Sequence, residues 1–149
     1  MATIRGFEFP DGLFYLVEHD AWVRLDDDGE ATIGITSLGA HISGEFIEFM
    51  ARSVGEAIER ERPLGMLEMS KIIRSARAPI SGAITAVNRR VKAEPMLINS
   101  DPYGAGWLVR MRPSAWDSDA RLLVTGADIA PAVEAYMALL SESFGEPAP

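Results

Sequence analysis

The chain of 149 residues has no cysteine. Disulfides, thiolate metal ligands, iron–sulfur ligation and a cysteine nucleophile are therefore excluded, and any sulfur chemistry must come from a bound cofactor. Histidine is scarce. His19 and His41 lie far apart without metal or triad spacing, and both read as surface or internally satisfied side chains. No apolar run reaches membrane-spanning length, and the opening MATIRGFEFPDGLFYLVEHD lacks the apolar core and cleavage site of a signal peptide. No membrane partner and a cytoplasmic location are the resulting expectations. Basic residues are outnumbered 14 to 22, for a net charge of −8. Nucleic acid is disfavoured as a partner, because phosphate binding needs a broad positive field. G-x-S-x-G, P-loop and G-x-G-x-x-G motifs are absent, and no nucleophile–base set is visible, so the chain does not read as an enzyme.

What is present is a β pattern. Ala21–Leu25 and Glu30–Ile35 alternate at period two around the turn Asp26-Asp27-Asp28-Gly29, which predicts a hairpin. Thr36 can cap a short helical turn, and Gly44–Met50 reads as a strand. Leu64–Met69 and Ile72–Arg74 are strands separated by Ser70 and Lys71, a hairpin tip whose residues are not a favoured type I′ pair. Ala78–Gly82 is a turn cluster, Ala83–Val87 a strand, Asn99–Gly104 a loop and Gly106–Arg112 a strand. At the C-terminus the period changes. Asp128 can cap a helix whose stripe is Ile129, Val133, Met137 and Leu140. Residues 1–127 are expected to form one carrier-sized unit with 128–144 as a helix packed on it. Residues 145–149 are expected to be a flexible tail.

Charge is uneven. Lys71, Arg74, Arg77, Arg89, Arg90 and Lys92 make the stretch 71–92 free of acids within an acidic protein. Most single charges of this kind belong to a solvated face. Lys71 stands out because its place at a hairpin tip would hold its amine away from the body, with Glu68 three residues before it.

In order along the chain come Glu18-His19-Asp20-Ala21-Trp22-Val23-Arg24, Ala31–Thr36, Glu68-x-x-Lys71, Ala78-Pro79-Ile80-Ser81-Gly82 and Asn99–Leu108. This ordered set resembles the glycine cleavage H-protein-like lipoyl carriers. The resemblance implies a mostly β fold, a lipoyl/biotinyl-type barrel-sandwich hybrid of short antiparallel strands with short helical turns and a C-terminal helix. It implies lipoic acid attached covalently to Lys71, with Glu68 as the carboxylate recognised by a lipoate ligase or lipoyl assembly enzyme. It also assigns Gly55 and Gly82 to fixing the hairpin's presentation.

Two branches of carrier are open. One carries the aminomethyl group of glycine cleavage among a decarboxylase, an aminomethyltransferase and a dihydrolipoamide dehydrogenase. The other is similar to the lipoate-binding proteins that serve a heterodisulfide-reductase-like complex in sulfur oxidation. Ile72-Ile73-Arg74-Ser75 after the lysine, with Arg77 close behind, favours an anionic sulfur cargo and hence the second branch. The segments Phe9–Tyr15, Arg112–Trp116 and Leu122–Gly126 resemble that branch as well. A rival of another class is an unmodified module that only binds a partner.

Overall fold

Alternating apolar residues become short paired strands between Ala2 and Pro113 in the computed structural model, which describes residues 1–144; the expected tail lies outside the described residues. An N-terminal hairpin joins β1 (Ala2–Ile4) to β2 (Phe7–Phe9) through Arg5 and Gly6, at φ 50° and 89°. Two consecutive left-handed residues are what a two-residue hairpin turn of matching twist needs. β3 (Phe14–Leu16), β4 (Ala21–Leu25) and β5 (Ala31–Ile35) form a meander. The expected turn between the last two is present: the Asp26 N–H donates to Glu30 O at 2.7 Å, and Gly29 takes φ 85°. Helix α1 (Ser37–Ser43) follows, capped by Thr36, whose hydroxyl accepts from the Gly39 N–H at 3.0 Å.

Next come β6 (Phe46–Ala51), β7 (Ala57–Ile58), β8 (Pro63–Met69), β9 (Ile73–Arg77) and β10 (Gly82–Val87). Short helices α2 (Arg89–Ala93) and α3 (Leu97–Ser100) lead to β11 (Val109–Pro113). α4 (Trp116–Ala120) and α5 (Ile129–Phe144) close the chain.

The strands make an antiparallel six-stranded sheet ordered β3-β4-β5-β11-β10-β7 and a three-stranded sheet ordered β6-β8-β9. The two pack face to face. Val23, Ile33, Ile84, Val109 and Met111 from the first meet Phe46, Phe49, Leu67, Met69 and Ala76 from the second in one core. The fold is mostly β with short helices and a C-terminal helix, as expected, and its sheets stay open rather than closing as a barrel. A second core covers the other side of β4: Ile4, Phe7, Phe9, Tyr15 and Trp22 pack against Ile129, Val133 and Met137 of α5. The expected helical stripe therefore faces inward, with Leu140 half-buried at its end.

Candidate functional site

The lysine turn is built by the register of β8 and β9. Glu68 lies opposite Ile73 and Leu67 opposite Arg74, and the Met69 N–H donates to Ile72 O at 2.9 Å. Only Ser70 and Lys71 remain to turn the chain, and neither takes a positive φ. The turn is thus not type I′, as the Ser-Lys pair implied. Strand alternation anchors it. Leu67 and Met69 are 0% and 4% exposed and lock the inner face of β8 into the core. Lys71 is exposed at the tip and makes no ion pair among the described residues. Ile72 and Ile73 beside it are each 58% exposed.

Glu68 is half-buried on the outer face, between Glu48 of β6 and Ile73 of β9. Its plain structural alternative was pairing with Arg74, and that pairing is absent. Arg74 shares the inner face with Leu67, because directly opposed residues of an antiparallel pair point the same way. Its guanidinium instead donates to Asp20 Oδ2 and Ser43 Oγ, both at 3.1 Å, and to His19 O at 3.4 Å. Arg77 lies at the far end of β9 and donates to Glu61 O at 3.0 Å. The expected use of these two arginines as a cationic border for an anionic cargo is therefore corrected: one is turned inward against a carboxylate and the other stands at the base of the hairpin.

Asp20, which the sequence did not single out, is the centre of this arrangement. It is 3% exposed, sits at φ 59° and also accepts the Tyr136 hydroxyl of α5 on Oδ1 at 2.9 Å. Burial pushes its carboxyl above the usual carboxylate range, against the opposing pull of Arg74 and the Tyr136 hydrogen bond. A Cβ on Gly39 would lie 2.3 Å from that of Asp20, so α1 can pack here only through glycine.

The segment expected as a loop from Asn99 begins inside α3, and the helix and the loop after it together support the same hairpin. Asn99 Oδ1 accepts the Phe46 N–H at 3.0 Å and its Nδ2 donates to Gly44 O at 2.7 Å, which fixes the start of β6 where Phe46 pairs with Met69. Asp101 accepts the Ala105 N–H at 2.8 Å, and a Cβ on Gly106 would lie 2.3 Å from Leu97 O. The two glycines assigned to the hairpin serve elsewhere. Gly55, at φ 95°, donates to Ile84 O at 2.7 Å, and a Cβ on Gly82 would meet Arg112 O at 2.3 Å. Both fit the six-stranded sheet together. His19 lies 3.7 Å from Glu61, and the His41 ring packs on Phe7. No cluster of three or more potential metal ligands occurs among the described residues.

A family model described as glycine cleavage H-protein matches residues 13–136, most of the chain. The chain belongs to the glycine cleavage H-protein family. "Glycine cleavage system H protein 2" of Aquifex aeolicus is 30% identical over 142 residues, covering 95% of this chain and 88% of that protein. The glycine cleavage system H protein of Psychrobacter cryohalolentis is 38% identical over 104 residues, covering 70% and 82%. The crystal structure of a glycine cleavage system H protein from Mycobacterium marinum superposes with a TM-score of 0.73 at 30% identity, covering 83% of this chain and 98% of that one. The H-protein match runs from the residue before β3 to Tyr136 in α5, so the β1–β2 hairpin precedes it.

Proposed function

We propose that the chain is a lipoyl carrier in which Lys71 holds lipoic acid in amide linkage and Glu68 is the carboxylate read by the enzyme that attaches it. The observation that carries the reading is the exposed, unpaired Lys71 at the tip of a rigidly based hairpin, in a family whose members carry lipoate on lysine. The site suits the group. Amide formation replaces an ammonium by a neutral amide, and no neighbour of Lys71 among the described residues loses an ionic partner when that happens. When bound, the group supplies a dithiolane able to accept and pass on electrons and small groups. The protein's own part is presentation. Leu67 and Met69 hold the strand, the two-residue turn projects the lysine, and stem plus lipoyl chain reach on the order of 10–15 Å. That reach lets one carrier visit several active sites at high effective concentration. The chain is thus a protein substrate of other enzymes and not a catalyst.

The names of its relatives favour glycine cleavage, with the aminomethyl group as cargo and the decarboxylase, aminomethyltransferase and dihydrolipoamide dehydrogenase as partners. Sulfur transfer with a heterodisulfide-reductase-like complex is the second reading. It is favoured by the exposed apolar side chains of Ile72 and Ile73 directly after the lysine, although Glu68, opposite Ile73, places one carboxylate beside the turn. No helix among the described residues is long and apolar enough to cross a membrane, and a cytoplasmic setting belongs to the proposal. Intact mass of protein incubated with lipoate ligase, ATP and lipoate tests the attachment: a lipoyl-sized increase on the Lys71 peptide is expected. An unchanged mass leaves the partner-binding module as the better reading. Reconstitution with the three glycine cleavage enzymes then separates the two carriers, since the sulfur reading requires turnover there to be negligible.

A further inference from the structure

Four elements meet around the Asp20–Arg74 pair, and one of them, β9, follows directly from the lysine turn. Arg74 comes from β9, three residues after Lys71; Ser43 closes α1; His19 O belongs to the 3-10 turn Val17–His19; Tyr136 comes from α5. Arg74 makes three hydrogen bonds into this group, two to side chains and one to a carbonyl. Tyr136 occupies the other carboxylate oxygen. Near the tip the β9 arm is the looser one, since β8 is paired on both sides and locked by Leu67 and Met69. Lys71, Ile72 and Ile73 are exposed, and β9 is an edge strand. An edge strand with an exposed tip opens easily unless something fastens it.

We propose that Arg74 is a positioning residue for Lys71: its guanidinium, seated on Asp20, fastens the lysine hairpin to the body, and Tyr136 makes the C-terminal helix part of that fastening. The inference deepens the carrier reading and rests on it for its functional meaning, but the fastening itself is a property of the unmodified chain. A carboxylate already engaged by Arg74 and Tyr136 serves as an anchor, and the direction of the hairpin follows from where it is held. α5 thereby acquires a task besides covering the second core, because its Tyr136 hydroxyl sets the orientation of the carboxylate that Arg74 meets.

The test uses the full chain with Arg74→Met, Tyr136→Phe and, as control, Arg77→Met at the base of the same strand. Hydrogen exchange of the Met69 amide and of its β8 and β9 neighbours is read first. Arg74→Met is expected to speed that exchange about tenfold and Tyr136→Phe about threefold, with Arg77→Met unchanged. Lipoylation by a lipoate ligase is read second. KM for the protein is expected to rise in the first two variants with kcat unaltered, an effect that loss of general stability at temperatures far below Tm would not produce. Tyr136→Phe removes one hydroxyl and keeps the ring, so it remains informative if Arg74→Met does not fold. Unchanged exchange at Met69 in Tyr136→Phe, or an equal effect from Arg77→Met, overturns the proposal. Altered exchange in a protein whose wild-type form accepts no lipoate leaves the fastening in place and removes the carrier reading instead.

Discussion

Single side chains differ sharply in what they can lose. Lys71 projects from its turn and holds no ionic partner among the described residues, so its replacement touches function alone. Lys71→Arg is expected to abolish lipoylation, because a guanidinium is not an acylatable amine, while Tm stays within about a degree of the parent. Mass spectrometry and thermal melting read the two halves, and a large drop in Tm would mean the lysine is structural. Trp22 is the opposite case. It is fully buried, and its indole N–H donates to Ile35 O and Pro102 O, both at 3.1 Å. Its ring lies on Gly34, where an added Cβ would come within 2.6 Å of the indole. Gly34→Ala should therefore destabilise by about 1–3 kcal/mol, measurable by urea unfolding, because neither the ring nor the paired strands can yield. The Pro102 contact explains why the Asn99–Gly106 segment follows a fixed path: it is gripped by a core tryptophan as well as by its own Asp101.

Among the elements, those with several turns of their own period were legible, and those defined by distant contacts were not. β4, β5, β8, β10 and the stripe of α5 could be read because period two or 3.6 persists over enough residues to show. β1 and β2 are three residues each and are held by tertiary contacts, β1 against α5 and β2 against α1, with Ile4, Phe7 and Phe9 in the second core. α2, α3 and α4 are four or five residues long, too short for any periodic signal. Position along the sequence was enough to mark Lys71 as a tip residue. Asp20, Arg74 and Tyr136 come together across 54 and 116 positions, and no local pattern announces such a meeting. The same distance misled the reading of Arg74, whose neighbourhood to Lys71 in sequence suggested a shared face that strand alternation denies. The dependence of the N-terminal hairpin on α5 has a measurable consequence. Met137 is fully buried against it, and Met137→Ala should cost about 2–5 kcal/mol in urea unfolding. Hydrogen exchange should show the loss first in β1 and β2. Equal loosening across both sheets would mean that the two cores are not energetically separable.

Over the whole molecule the excess of carboxylates makes acid stability the informative axis. One cluster binds three strands: Asp26 accepts from Arg24 at 2.7 Å, Thr32 at 2.6 Å and Arg110 at 3.0 Å, joining the β4–β5 turn to β11. Partial burial works against ionisation of Asp26, yet the three hydrogen bonds outweigh it and hold the carboxyl below its ordinary value. Asp28 beside it is lowered as well, chiefly by the Glu30 N–H and then by Arg110. A carboxyl lowered by folding stabilises the protein above its unfolded pKa, and that contribution disappears as pH falls through the folded value. Asp20 is raised by burial and acts with the opposite sign, so total stability against pH mixes the two. The difference between parent and Asp26→Asn isolates the cluster. The amide retains the shape but not the charge, so the gap in Tm is expected to be widest near neutral pH. It should narrow steadily below about pH 4, as the unfolded chain's carboxyl takes up its proton first and the folded one follows at its lowered value. Thermal melts at a series of pH values measure it, and a gap independent of pH would show that Asp26 acts through hydrogen-bond geometry alone.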